Sequence, residues 1–186
     1  MIAFFAERNI MVSKLGPLGE DVLRKWCSEA GLTRNKAEQD ENGWDYLVEF
    51  PIRKEANAPW DKAVAPVECK VQVKATRRLR NSVGIKLSNA LKMAKCPLPF
   101  YLLVLEFSDG IELDQARILP IDGAVAEKIL RRVRQCDFEK RSSMARKFAF
   151  PWRERAPSRD AVATSSQARF GSTLVKVSQT MSKRRE

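Results

Sequence analysis

A chain of 186 residues that contains no histidine has no Ser/His/Asp or Cys/His nucleophilic system, no His-metal nuclease centre and no His-containing zinc finger. Hydrolytic chemistry would have to run on carboxylates, lysine and a hard metal ion. The formal net charge of +11 selects a polyanionic partner, nucleic acid before an acidic protein or a ribosome-like surface, and 44% hydrophobic residues suit one globular body with a tail.

Residues 1–14 read equally as a strand, a short helix or an arm against a partner, and Glu7, Arg8 and Asn9 break their apolar run before any signal-peptide core could form. Pro17 to Ala30 is the first firm helix, stopped by Gly31, with Leu18, Val22, Leu23, Trp26 and Cys27 at helical spacing as its buried stripe. Glu20 lies off the centre of that stripe; on the residues alone it is a first-turn acid favoured by the helix dipole. Leu32 to Glu41 reads as an edge strand and a turn, with Asp40 and Glu41 as solvated turn acids. After Asn42-Gly43, the run Trp44 to Phe50 is a strand opened by Asp45 and closed at Pro51. Taken alone, Asp45 is a capping or turn residue. Pro51, Pro59 and Pro66 discourage regular structure in the connection that follows.

Val67 to Lys74 is the strand around which the rest is organised. With side chains alternating, Val67, Cys69, Val71 and Val73 share one face, and Glu68, Lys70, Gln72 and Lys74 share the other. The second face holds two acid-or-amide-x-Lys pairs, which suit a phosphodiester-hydrolysing metal site. If this strand neighbours the Asp45 strand, that carboxylate comes near Gln72 and Lys74. Arg77, Arg78 and Arg80 follow at once, either a grip on flanking phosphates or a basic loop. Val83 to Leu87 is a short strand, and Ser88 is the expected N-cap of a helix running through Ala94, with Lys86 and Lys92 available to nucleic acid. Pro99 to Phe107 is too hydrophobic on both faces to be an edge strand. Ser108-Asp109-Gly110 turns into a strand over Ile111 to Pro120. Asp122-Gly123 opens a helix to about Gln135, burying Val125, Ile129, Leu130 and Val133 and exposing Lys128, Arg131, Arg132 and Arg134.

These elements place a core over residues 1–137 and a basic, partly flexible extension over 138–186. In the extension Lys140, Arg141, Arg146 and Lys147 surround Phe148, Phe150 and Trp152, a pattern suited either to base stacking and phosphate binding or to a segment packed on the body. Residues from Pro157 onward read as flexible, with a patch over Phe170 to Val177 that could order on a partner. Cys27, Cys69, Cys96 and Cys136 contain no Cys-x-x-Cys pair and read as buried small hydrophobes in a reducing cytoplasm. No apolar run reaches the roughly 20 residues that a membrane crossing needs, so the expectation is a cytoplasmic protein with no membrane partner.

The helix with Glu20, the Gly43-Trp44-Asp45-Tyr46 strand and the Val71-Gln72-Val73-Lys74-Ala75-Thr76 strand, in that order, resemble the PD-(D/E)xK, or restriction-endonuclease-like, nuclease superfamily. The likeness is to its branch with Gln in place of the acidic residue, and it spans about the first three-fifths of the chain, through Lys86-Leu87-Ser88-Asn89 and the Pro99 to Phe107 strand. It implies an α/β fold with a mixed central sheet flanked by helices, and a Mg²⁺- or Mn²⁺-dependent nuclease acting on nucleic acid, DNA ahead of RNA. Catalytic roles would fall on Asp45, Gln72, Lys74 and Glu20, and metal ligation on Asp45, Gln72 and Glu20. Glu68 with Lys70 forms a rival Glu-x-Lys pair, while Arg77, Arg78, Arg80 and Lys86 would bind the strand. Two departures stand out: Trp44 occupies the position of the family's Pro, and Gln72 offers a neutral oxygen to a cation that prefers carboxylates. They leave open an inactive nucleic-acid-binding or assembly subunit on the same scaffold. Pairing into a homodimer or a larger complex is also open.

Overall fold

A computed structural model of the chain describes residues 15–38, 43–51, 59, 66–77, 82–107, 111–139 and 146–151. The N-terminal arm, Asp40, Glu41, most of the connection from Pro51 to Pro66, Arg78, Arg80, the Ser108–Gly110 turn, Trp152 and the tail lie outside the described residues.

The first helix, α1 (Leu15–Glu29), buries the expected stripe: Leu23, Trp26 and Cys27 are inaccessible or nearly so, and Leu18 and Val22 pack beside them. Gly19 lets it sit close to the sheet, since a Cβ there would lie 3.1 Å from Ala75 Cβ and 3.2 Å from Val73 Cγ1. Its end is a glycine-based stop. Gly31 takes φ 65°, the Leu32 N–H donates to Cys27 O at 2.8 Å, and the Gly31 N–H donates to Ser28 O at 3.2 Å.

Among the described residues seven strands follow in two sheets: β1 (Thr33–Lys36), β2 (Tyr46–Glu49), β3 (Glu68–Thr76), β4 (Ser82–Lys86), β5 (Phe100–Glu106), β6 (Gln115–Pro120) and β7 (Lys147–Pro151). The larger sheet has the order β1-β2-β3-β5-β6, with β3 and β5 parallel and the other pairs antiparallel. Parallel neighbours need a long crossover, and this one carries β4 and helix α2 (Leu87–Ala94) across the sheet. Helix α3 (Gly123–Phe138) completes a mixed α/β architecture.

Two hydrophobic clusters explain the sequence of β5. Tyr101, Leu103, Leu105 and Phe107 face the α1 side with Cys69 and Val71, whereas Phe100, Leu102 and Val104 face Ala90, Met93 and Ile129 of α2 and α3. A strand covered on both faces has no wet side, so its apolar run is continuous. On β3 only the α1 face is apolar. Its other residues, Lys70, Gln72 and Lys74, pair in register with Phe100, Leu102 and Val104, so polar groups enter the second cluster's layer.

Several boundaries differ from expectation for local reasons. Ser88 does not cap α2: the helix starts at Leu87, and Lys86 occupies the cap position with no side-chain bond. The Leu87 N–H instead donates to Arg146 O at 2.7 Å, so a neighbouring segment does the work of a cap. Strand β6 begins at Gln115 rather than at Ile111. Helix α3 is capped as anticipated, Asp122 Oδ1 accepting from the Val125 N–H at 2.9 Å, but it continues to Phe138 and buries Cys136 along with Ile129, leaving Leu130 and Val133 only half-buried.

Of the readings open for the start of the extension, packing on the body is the one that holds for Phe148 and Phe150. Strand β7 pairs antiparallel with β4, Val83 opposite Phe150 and Ile85 opposite Phe148. Phe150 is 1% exposed and meets Phe148 edge to face, ring centroids 4.9 Å apart. These two aromatics are core groups, not stacking platforms. No described helix is long and apolar enough to cross a membrane.

Candidate functional site

Asp45 stands just ahead of β2 and is held from both sides. Its N–H donates to Val71 O at 3.0 Å, its carbonyl accepts from the Ala37 N–H at 2.9 Å, and its Oδ2 accepts from the Val73 N–H at 2.6 Å. Gly43 supplies the approach with φ 72°, a left-handed conformation that favours glycine, packed close to Asn89. The last ladder pair is Tyr46 opposite Val71, so one step further along puts Asp45 level with Gln72. The carboxylate therefore rests on the Gln72–Val73 peptide, one residue before Lys74.

Gln72 is directed away from α1, beside Leu102, and its Oε1 is buried with no hydrogen-bond partner. An amide oxygen in that condition costs free energy unless something satisfies it. Lys74 emerges exposed at the next position on the same face. Asp45, Gln72 and Lys74 are thus brought together across β2 and β3.

Glu20 is engaged elsewhere. On the α1 side of the sheet its Oε2 accepts from Lys36 Nζ at 2.6 Å and from the Tyr46 hydroxyl at 2.8 Å. Burial acts to raise its pKa, but those two hydrogen bonds and the charges of Lys36 and Arg24 outweigh that and lower it. Burial and then the bond to Glu20 push Tyr46 up to about 12. Glu20 is also not a first-turn acid, because α1 begins five residues earlier, at Leu15. Its carboxylate braces the residue next to Asp45.

The rival pair divides. Glu68 stands opposite Glu49 in the β2–β3 register, and Lys70 Nζ lies over the Trp44 ring, 4.8 Å from its centroid. Arg77 Nη1 donates to Phe107 O at 3.1 Å, tying the ends of β3 and β5 together, so this arginine has a structural task beside any phosphate contact. Lys86 is exposed at the entrance of α2. Cys27 is held up at about 11 and Cys69 at about 12, chiefly by burial, which removes both as nucleophiles at neutral pH.

Among the described residues no three His, Cys, Asp or Glu side chains cluster as a metal site. The donor set at Asp45 is one carboxylate and one unsatisfied amide oxygen. Mg²⁺ binds proteins through one or two carboxylates and fills its remaining positions with waters and substrate phosphates, so one carboxylate and one amide oxygen are the least that such an ion would use.

A second feature has only a weak sequence signal. Trp44, Lys70, Lys92, Lys95, Cys96 and Phe100 line a cavity of about 360 Å³ at the end of α2. Trp44 stood out only as a substitute for Pro, and its meeting with Lys92 and Lys95 depends on the crossover. Comparison with protein-family models, with characterised proteins and with solved structures found no match.

Proposed function

We propose that the chain is a metal-dependent nuclease, built on a restriction-endonuclease-like core, that hydrolyses nucleic-acid phosphodiester bonds, DNA ahead of RNA. The observation that carries this reading is the Asp45 carboxylate seated on the Val73 N–H at 2.6 Å, with Gln72 and Lys74 on either side of Val73. A carboxylate fixed by the backbone of the neighbouring strand is preorganised, and the unsatisfied Gln72 oxygen supplies a second hard donor. The charge of +11 suits the substrate.

Asp45 and Gln72 are the residues that would hold Mg²⁺ or Mn²⁺. When bound, such an ion acidifies a water and screens the phosphate charge. Lys74 orients or deprotonates the attacking water, and its ammonium stabilises charge that gathers on the phosphoryl oxygens. Glu20 works at one remove, holding Tyr46 and with it the start of β2. Arg77, Arg78, Arg80 and Lys86 retain the strand.

A non-catalytic binding module on the same core is the second reading, favoured by the single carboxylate in the donor set and by the burial of Gln72 Oε1. Purified protein incubated with plasmid DNA, single-stranded oligonucleotides and RNA, in Mg²⁺, Mn²⁺ or EDTA, separates the two. Metal-dependent cutting supports the nuclease; binding without cutting in every metal supports the module.

A further inference from the structure

We propose that the cavity between β3 and the C-terminal end of α2 is a subsite for one nucleotide unit of a nucleic-acid strand, its phosphate on the lysines and its sugar and base against the apolar wall. The depression is open to solvent along one side, and its volume of about 360 Å³ exceeds what a lone ion needs. Lys70, Lys92 and Lys95 line it, and none of the described residues that line it is acidic. Three ammonium groups at one cavity suit an anionic ligand.

The end of a helix accounts for Lys92 and Lys95, since cations are favoured there. It does not account for Lys70, which belongs to β3. The Trp44 ring holds that ammonium at the cavity wall, so part of its ordering cost is met before a ligand arrives. The remaining wall, with Trp44, Phe100 and Cys96, is apolar and aromatic, which a bare phosphate would not use. The Trp44 indole N–H is buried and has no hydrogen-bond partner among the described residues, which makes its resonance a local reporter. A phosphate ester carrying a flat ring suits both the lysines and the apolar wall.

Location argues for a strand rather than a free nucleotide, and here the inference rests on the function proposed above. Trp44 adjoins Asp45, and Lys70 precedes Gln72 by two residues on the same face, about 7 Å along the strand. A chain crossing Asp45 and Lys74 would bring its neighbouring nucleotide to the cavity.

The test follows the indole N–H resonance of Trp44 in the ¹⁵N-labelled full chain, assigned with Trp44→Phe, at constant ionic strength. A nucleoside monophosphate should move it saturably, and a single-stranded oligonucleotide should bind tighter and compete. The Lys92→Ala/Lys95→Ala variant, altered at exposed positions, should bind the mononucleotide at least tenfold more weakly, while Lys74→Ala binds it normally. A resonance that does not move, an equal response to inorganic phosphate, or an unchanged affinity in the double variant overturns the subsite. An oligonucleotide that does not compete overturns its assignment to a strand. Absence of cleavage by the unaltered chain in every metal, with the shift retained, defeats the nuclease reading and leaves the subsite standing.

Discussion

The Asp45 carboxylate accepts the Val73 N–H at 2.6 Å, joining the residue before β2 to the middle of β3. One carboxylate thereby closes the sheet and stands at the candidate site. Asp45→Asn should lower cleavage strongly and also destabilise the chain by about 1–3 kcal/mol, because a charge-assisted bond to a backbone donor is weakened. Thermal denaturation beside a cleavage assay measures both effects, and an unaltered Tm would contradict the structural half.

Gln72 separates structure from chemistry. Replacing it with Leu removes a buried oxygen that lacks a partner, so stability should hold or rise, by about 1–3 kcal/mol at most. Metal-dependent activity should fall in the same variant. Gln72→Glu should tighten Mg²⁺ binding, since a carboxylate is the better ligand for a hard cation. Calorimetric titration of Mg²⁺ reads this directly, and a weaker affinity in Gln72→Glu would count against ligation there.

Glu20 makes its prediction through pH. Its pKa is lowered in the folded chain, so the stability it contributes is fully present above its ordinary value of 4.5 and is lost as pH falls through the lower, folded value. Glu20→Gln should cost about 1–2 kcal/mol at neutral pH and flatten the acid limb of the stability curve. Urea denaturation from pH 7 to 3 checks the slope. An acid limb parallel to that of the unaltered chain would show that Lys36 and Tyr46 do not hold this carboxylate in solution.

Phe150 tests how far the folded body extends. A phenylalanine that is 1% exposed and meets Phe148 edge to face should cost about 3–5 kcal/mol when replaced by Ala. Denaturant titration of Phe150→Ala gives the number, and a loss below 1 kcal/mol would mean that β7 is dispensable.

Much of this architecture can be read from the residues because local pattern and burial agree. The α1 stripe, the Gly31 stop, the two-sided β5 and the alternation of β3 each follow from spacing alone. The pairing of β2 with β3, which brings Asp45 to Gln72, follows from the same alternation once the strands are taken as neighbours. What escapes that reading depends on distant partners. The α2 cap comes from Arg146 O, supplied by a segment far along the chain, so Ser88 looked like the better starting point. Phe148 and Phe150 sit among basic residues, and only their pairing with β4 makes them core. The engagement of Glu20 by Lys36 and Tyr46 depends on where α1 crosses the sheet, and helical spacing does not encode that crossing.

Lys74 carries the central claim most directly, because it is exposed and its loss should leave the fold intact. The decisive comparison is cleavage of plasmid DNA and single-stranded oligonucleotides by the unaltered chain and by Lys74→Ala, in Mg²⁺, Mn²⁺ and EDTA, with binding measured in parallel. Metal-dependent cutting should fall by about 10²–10⁴-fold in the variant, with strand affinity within a few-fold of the original. Cutting that persists undiminished in Lys74→Ala, or that ignores EDTA, would contradict the claim.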